Sequence, residues 1–91
     1  MKLKELSNKY KDLLDTNVIV NGWVLSVRTQ KDITFIKLND GSNPQGVQLI
    51  AETKIKELEK VNIGSSLSIC GLLVKSPAKG QLFEIKINSV K

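Results

Sequence analysis

Between Asn17 and Thr29 the chain carries a long run in which Val18, Val20, Val24 and Val27 supply β-branched side chains and Gly22 interrupts them. Side chains stiff at χ1 pack well on a pleated surface, so the run predicts a strand. A glycine inside a long strand marks a bend or a bulge, as a sheet closing on itself requires. Gln30-Lys31-Asp32 is a short connection into a second strand in the run Ile33–Asp40, and the two strands are expected to form a hairpin.

The remaining elements follow from period and punctuation. Leu3, Leu6, Tyr10, Leu13 and Leu14 recur at helical spacing, predicting a short amphipathic lead-in over residues 1–16 that ends near Asp15-Thr16. Asp40 to Gly46 is dense in turn residues, and a third strand follows over Val47–Ala51, with Val47 and Leu49 inward and Gln48 on the opposite face. Thr53 can cap a helix running through about Val61, where Ile55 and Leu58 give a narrow apolar stripe. Lys56 stands where a capping box would want Glu or Gln, so that end is only partly specified. A fourth strand is expected over Ser66–Lys75, a loop over Pro77–Gly80, and a last strand over Leu82–Asn88. In that strand Phe83, Ile85 and Ile87 share one face and Glu84 and Lys86 the other.

Three strands, a helix, then two strands is the order of a five-stranded OB barrel. The predicted class is therefore all-β with a small helical component, with residues 17–91 forming the barrel. With 91 residues the chain suffices for one small domain, and an apolar share of 41% allows a genuine core.

Phe35 raises the question of function. Ile36 and Leu38 share a face with Thr34, while Phe35 shares the other with Lys37 and Asn39. An aromatic ring beside an ammonium and an amide on the wet side of a sheet is a base-stacking arrangement. The alternative is a sheet curled enough to bury both faces there.

Charge points the same way without deciding it. The net charge is +5, which favours a polyanionic partner, although lysines scattered singly also make an ordinary solvated surface. Arg28 is the only arginine, which suggests a place where a planar, bidentate donor matters. The chain has no histidine, removing His-based acid–base catalysis and most transition-metal sites. Its Ser residues have no histidine partner, and no phosphate-cradling GxxxxGK[ST] loop is present. No catalytic residues, cofactor or metal are expected. Cys70, in an apolar run, reads as a packed thiol. No apolar run approaches the roughly 18 residues of a membrane span, and the N-terminus lacks the shape of a signal peptide, so a soluble, cytoplasmic protein is expected.

A binding surface is better supported than a catalytic one. OB barrels bind single strands across their second and third strands. Phe35 and Gln48 would be neighbours there, the ring for stacking and the amide for reading a base edge. Arg28 could hold a phosphate or a base edge, Glu84 could accept from a base amino or imino group, and Lys79 could touch phosphate beside Gly80. Each also has a plain reading as a solvated surface group. One outward aromatic suits selective recognition of a few bases better than sequence-blind coating of a strand.

Several linked segments then match a known family. Asn21-Gly22-Trp23-Val24, Ser26-Val27-Arg28, Phe35 through Ser42 and Val47-Gln48-Leu49 resemble the anticodon-binding barrel of class IIb aminoacyl-tRNA synthetases. Leu38-Asn39-Asp40-Gly41-Ser42 and Lys75 through Glu84 look most like asparaginyl-tRNA synthetase. The resemblance implies recognition of the anticodon loop of the asparagine tRNA. Phe35 would stack on the middle uridine, Gln48 would hydrogen-bond it, and Arg28 and Glu84 would contribute to the same site. Trp23 is read as packing at the barrel wall. The Gln30-Lys31-Asp32 turn lacks the glycine common in the family. The family's catalytic domain is absent from this sequence, so the chain is expected to be an excised domain or a standalone relative, and as an isolated domain monomeric. If standalone, it could instead serve as a single-stranded nucleic-acid or protein-interaction module.

Overall fold

The computed structural model describes residues 2–52, 58, 61–77 and 82–90. Its elements are α1 (Leu3–Leu13), β1 (Asn17–Gln30), β2 (Ile33–Asn39), β3 (Val47–Ala51), β4 (Ser66–Lys75) and β5 (Phe83–Val90). The strands close into a barrel in the order β1-β2-β3-β5-β4, with β4 returning to pair with β1. All pairings are antiparallel except β3 with β5, which is parallel. This is the five-stranded OB topology that the element order predicts. The helix expected between Thr53 and Val61 falls largely outside the described residues; Leu58 and Val61 pack against the core.

One long strand serves two neighbours. The first half of β1 pairs with β4, from Asn17↔Leu72 to Trp23↔Ser66, and the second half pairs with β2, from Trp23↔Asn39 to Gln30↔Ile33. The handover occurs around Gly22, where a Cβ would overlap the Asn39 carbonyl oxygen of β2. Immediately beyond, the ladder is irregular between Val24 and Ser26, a bulge that places Leu25 out of register.

The interior takes the inward residues of every strand. Val20, Val24, Ile36, Leu38, Leu49, Ile69, Leu73 and Ile85 are all fully buried. Leu3 and Leu6 of α1 join the same core, so the amphipathic helix plugs one end of the barrel. Tyr10 of α1 stacks on Phe83 of β5, with ring centroids 5.2 Å apart.

The helix does not cap itself. Lys2 occupies its N-cap position and makes no side-chain cap bond. The turn after β2 supplies the missing acceptors: the Leu3 N–H donates to Asp40 Oδ2 at 2.9 Å, and the Lys4 N–H donates to Ser42 Oγ at 3.0 Å. The Ser42 N–H also donates to Asp40 Oδ1, which fixes the carboxylate. Two of the orphan donors at the start of α1 are thus met by a turn nearly forty residues away.

Burial alone pushes the Asp40 carboxyl up, but the hydrogen bonds from Ser42 and the Leu3 N–H outweigh it and hold the pKa below its ordinary value near 3.8. Because the folded-state pKa is depressed, the stabilisation is full above the unfolded value and lost as pH falls through the folded one. Asp40→Asn is expected to lower stability by about 1 kcal/mol at pH 7, the scale of a helix cap at a solvated rim. Urea melts at descending pH should show the gap between the two proteins closing below pH 3.8.

Candidate nucleic-acid interface

On the outside of the barrel, register sets two adjacent rows. The first runs Arg28 (β1), Phe35 (β2), Ile50 (β3) and Lys86 (β5) through successive cross-strand pairs. The second runs Ser26, Lys37 and Gln48. In the parallel β3–β5 ladder Leu49 pairs with Ile85, so Glu84 comes level with Gln48 one step earlier. Four of the five residues singled out in the sequence therefore share one continuous outer surface. Lys79 lies outside the described residues.

Phe35 is half-buried on the outward face, and its ring is not a member of the core. The Arg28 guanidinium lies over it, with Cζ 4.6 Å from the ring centroid. At that distance the cation is drawn to the ring's negative face, and the contact holds the ring in place beside its own strand pair. The cross-strand partner on its other side is apolar. Ile50, its partner on β3, is only 8% exposed although it points outward, and it extends the floor beneath a stacked ring. Lys86 follows and pairs with Glu52 at 3.1 Å, a well-exposed ion pair that contributes little to stability.

Three placements differ from expectation. Glu84 does stand on the outer face, yet it is 7% exposed and not wet. Its carboxyl responds to its surroundings: burial raises its pKa above the usual value, while the Lys86 charge and a hydrogen bond with Ser76 pull it down and Glu52 pushes it up again. Trp23 lies outside the barrel wall, 43% exposed, with its ring against the turn at Gly41. Cys70 is half-buried on β4, so its packing is partial.

Ile50 escaped the sequence reading, and Lys37, placed there on the Phe35 face, was not counted among the site residues. Lys37 is exposed and sits directly across from Gln48. The available signal was phase: Ile50 has the same parity as Gln48, and Lys37 the same parity as Phe35.

A buried carboxylate whose folded-state pKa is raised opposes folding when ionised. Its cost grows as pH rises from the unfolded value near 4.5 through the folded one. Glu84→Gln keeps an acceptor for Ser76 and removes the charge, so it should stabilise the domain at pH 7. Chemical denaturation should show that gain shrinking toward pH 4. A destabilised variant would mean that the attraction of Lys86 outweighs burial.

The arrangement can stack one planar group on Phe35 over an apolar floor, offer an amide to its edge through Gln48, and surround it with Arg28, Lys37 and Lys86. Fold and face together define a five-stranded OB barrel with a single aromatic platform on its second and third strands.

Residues 18–91 match the family model described as an OB-fold nucleic acid binding domain of the tRNA anti-codon type, and the chain belongs to that family. It is 45% identical over 82 residues to the asparagine–tRNA ligase of Borrelia garinii subsp. bavariensis, a match covering 85% of this chain and 18% of the ligase. It is 40% identical over 72 residues to the asparaginyl-tRNA synthetase of Homo sapiens, covering 79% of this chain and 15% of that protein. The asparaginyl-tRNA synthetase structure from Pyrococcus horikoshii, complexed with asparaginyl-adenylate, shares the fold with a TM-score of 0.75 at 16% identity. That match covers 88% of this chain and 19% of the synthetase. The chain thus spans under a fifth of the length of these relatives, and what it matches is their OB-fold domain, a binding unit without a catalytic one.

Proposed function

We propose that this domain binds a tRNA anticodon loop, that of the asparagine tRNA, as the recognition module of an asparagine–tRNA ligase in the cytoplasm, and that it does so as a monomer. The observation that carries the reading is the half-buried Phe35 ring, clasped by Arg28 on one strand and flanked by Gln48 on another. The relatives named asparagine–tRNA ligase support the choice of tRNA.

In this reading Phe35 stacks on the middle base of the anticodon, and Gln48 reads that base's edge. Arg28 orients the ring and presents its remaining N–H groups to the base edge or a phosphate. Glu84 accepts from a base donor, and the lysines, Lys79 among them, add a salt-sensitive attraction.

The test is titration with anticodon-loop RNAs differing only at the middle base. Uridine should bind best, and equal affinity for all four bases would leave a general single-strand binder or a protein-interaction barrel instead. Gln48→Ala should weaken uridine binding by about tenfold and cytidine binding much less, because a hydrogen bond that reads one base matters little to the other.

A further inference from the structure

Among the described residues two polar side chains are buried, Ser76 and Glu84, and they are hydrogen-bonded to each other. Ser76 lies just past the end of β4 and Glu84 is the second residue of β5. We infer that Ser76 is a positioning residue for RNA binding: its hydroxyl donates to the Glu84 carboxylate and turns the remaining acceptor sites of that group toward the bound RNA. The inference rests on the reading proposed above, in which Glu84 accepts from a base.

The backbone brings the two side chains together. Val74 of β4 pairs with Glu84, and Lys75 pairs with Phe83. Ser76 is two residues beyond Val74, so it stands on the same outer face, diagonal to Glu84 and within reach of a long side chain. Its N–H donates to the Leu82 carbonyl at 3.3 Å, which carries the ladder one step past the end of the strand. Pro77 follows, and the residue before a proline is held to extended backbone. Ser76 is fixed in place from both sides.

The burial of Glu84 makes this contact matter. An ionised carboxylate has about four acceptor sites and no donor. With 7% of the residue exposed, few of those sites can face outward. The last torsion of a glutamate is broad, so an unheld carboxylate can turn its acceptors away from the surface. The Ser76 donor sets that rotation and also favours the ionised form. Lys86 of β5 favours it too, while Glu52, which holds Lys86 at 3.1 Å, opposes it. Lys37 is the next charged group on this row, beyond Gln48. Protonation would place an O–H donor where a base N–H needs an acceptor.

The experiment follows affinity against pH. Wild type, Ser76→Ala and Ser76→Thr are titrated with anticodon-loop RNA from about pH 8 down to about pH 5, each also in a Glu84→Ala background. Ser76→Ala should bind about tenfold more weakly near pH 7. It should weaken further as pH falls, beginning at a higher pH than wild type, because the ionised carboxylate has lost a donor. Ser76→Thr keeps the hydroxyl and should restore both affinity and pH profile. With Glu84→Ala already present, Ser76→Ala should change neither. A serine that only fills space would lower the melting temperature and leave the pH profile as it is, or cost the same affinity in both backgrounds; either result overturns the inference. Phe35→Ala separates the two claims. Binding that depends on Phe35 but not on Ser76 leaves the proposed function standing, whereas no RNA binding by the wild-type domain overturns both.

Discussion

Phe35→Ala should weaken binding of a uridine-centred anticodon-loop RNA by between about 5-fold and 150-fold while the domain stays folded. The range corresponds to the roughly 1–3 kcal/mol that a base gains by stacking on an aromatic ring. The ring is half-buried on the outer face and outside the core, so its loss should cost about 1 kcal/mol of stability, well short of unfolding. Two controls identify the cause. Phe35→Trp keeps a stacking surface and should retain most of the affinity. The slope of log affinity against log salt should be unchanged in Phe35→Ala, because it reports phosphate contacts made by lysines and not base stacking. Isothermal titration at several salt concentrations supplies both readings, and melting curves supply the third. A variant that unfolds would return Phe35 to the core; one that binds as before would remove the platform.

Much of the barrel can be read from local pattern. The bounds of β4, Ser66–Lys75, emerge from an apolar run between turn residues, and β3 from a single alternating segment. The site is harder, for a reason visible in β1. Strict alternation from Val20 through Val24 would carry Arg28 to the inside of the barrel. The bulge at Leu25 inserts one residue and reverses the phase, so Arg28 emerges on the outside, opposite Phe35. Nothing in the identity of Leu25 announces this. Glu84 illustrates a second limit: period gives the face on which a side chain stands but not what covers it, and here Ser76 and Lys86 close around the carboxylate. The cap on α1 is a third case, since Asp40 and Leu3 are joined only by the tertiary fold.

Gly22→Ala is expected to harm the fold severely, by about 3 kcal/mol, the upper part of what one added methyl does in a filled space. Gly22 stands where β1 leaves β4 for β2, and each strand needs the backbone of β1 close at that point. A Cβ would overlap the Asn39 carbonyl oxygen, lie 2.9 Å from its carbon and meet the buried Leu38 side chain at 3.1 Å. Backbone cannot swing aside as a flexible side chain can, so relief requires β2 to part from β1. That would disturb the register which sets Arg28 against Phe35. Gly64→Ala makes the comparison informative. A Cβ there meets nothing within 4 Å, but the residue has a φ of +91°, so its cost of roughly 1–2 kcal/mol is backbone strain alone. Urea denaturation should rank Gly22→Ala clearly below Gly64→Ala. The reverse order would mean that β2 yields easily at Asn39, and the glycine in the first strand would then be needed for its bend and not for the closeness of its neighbour.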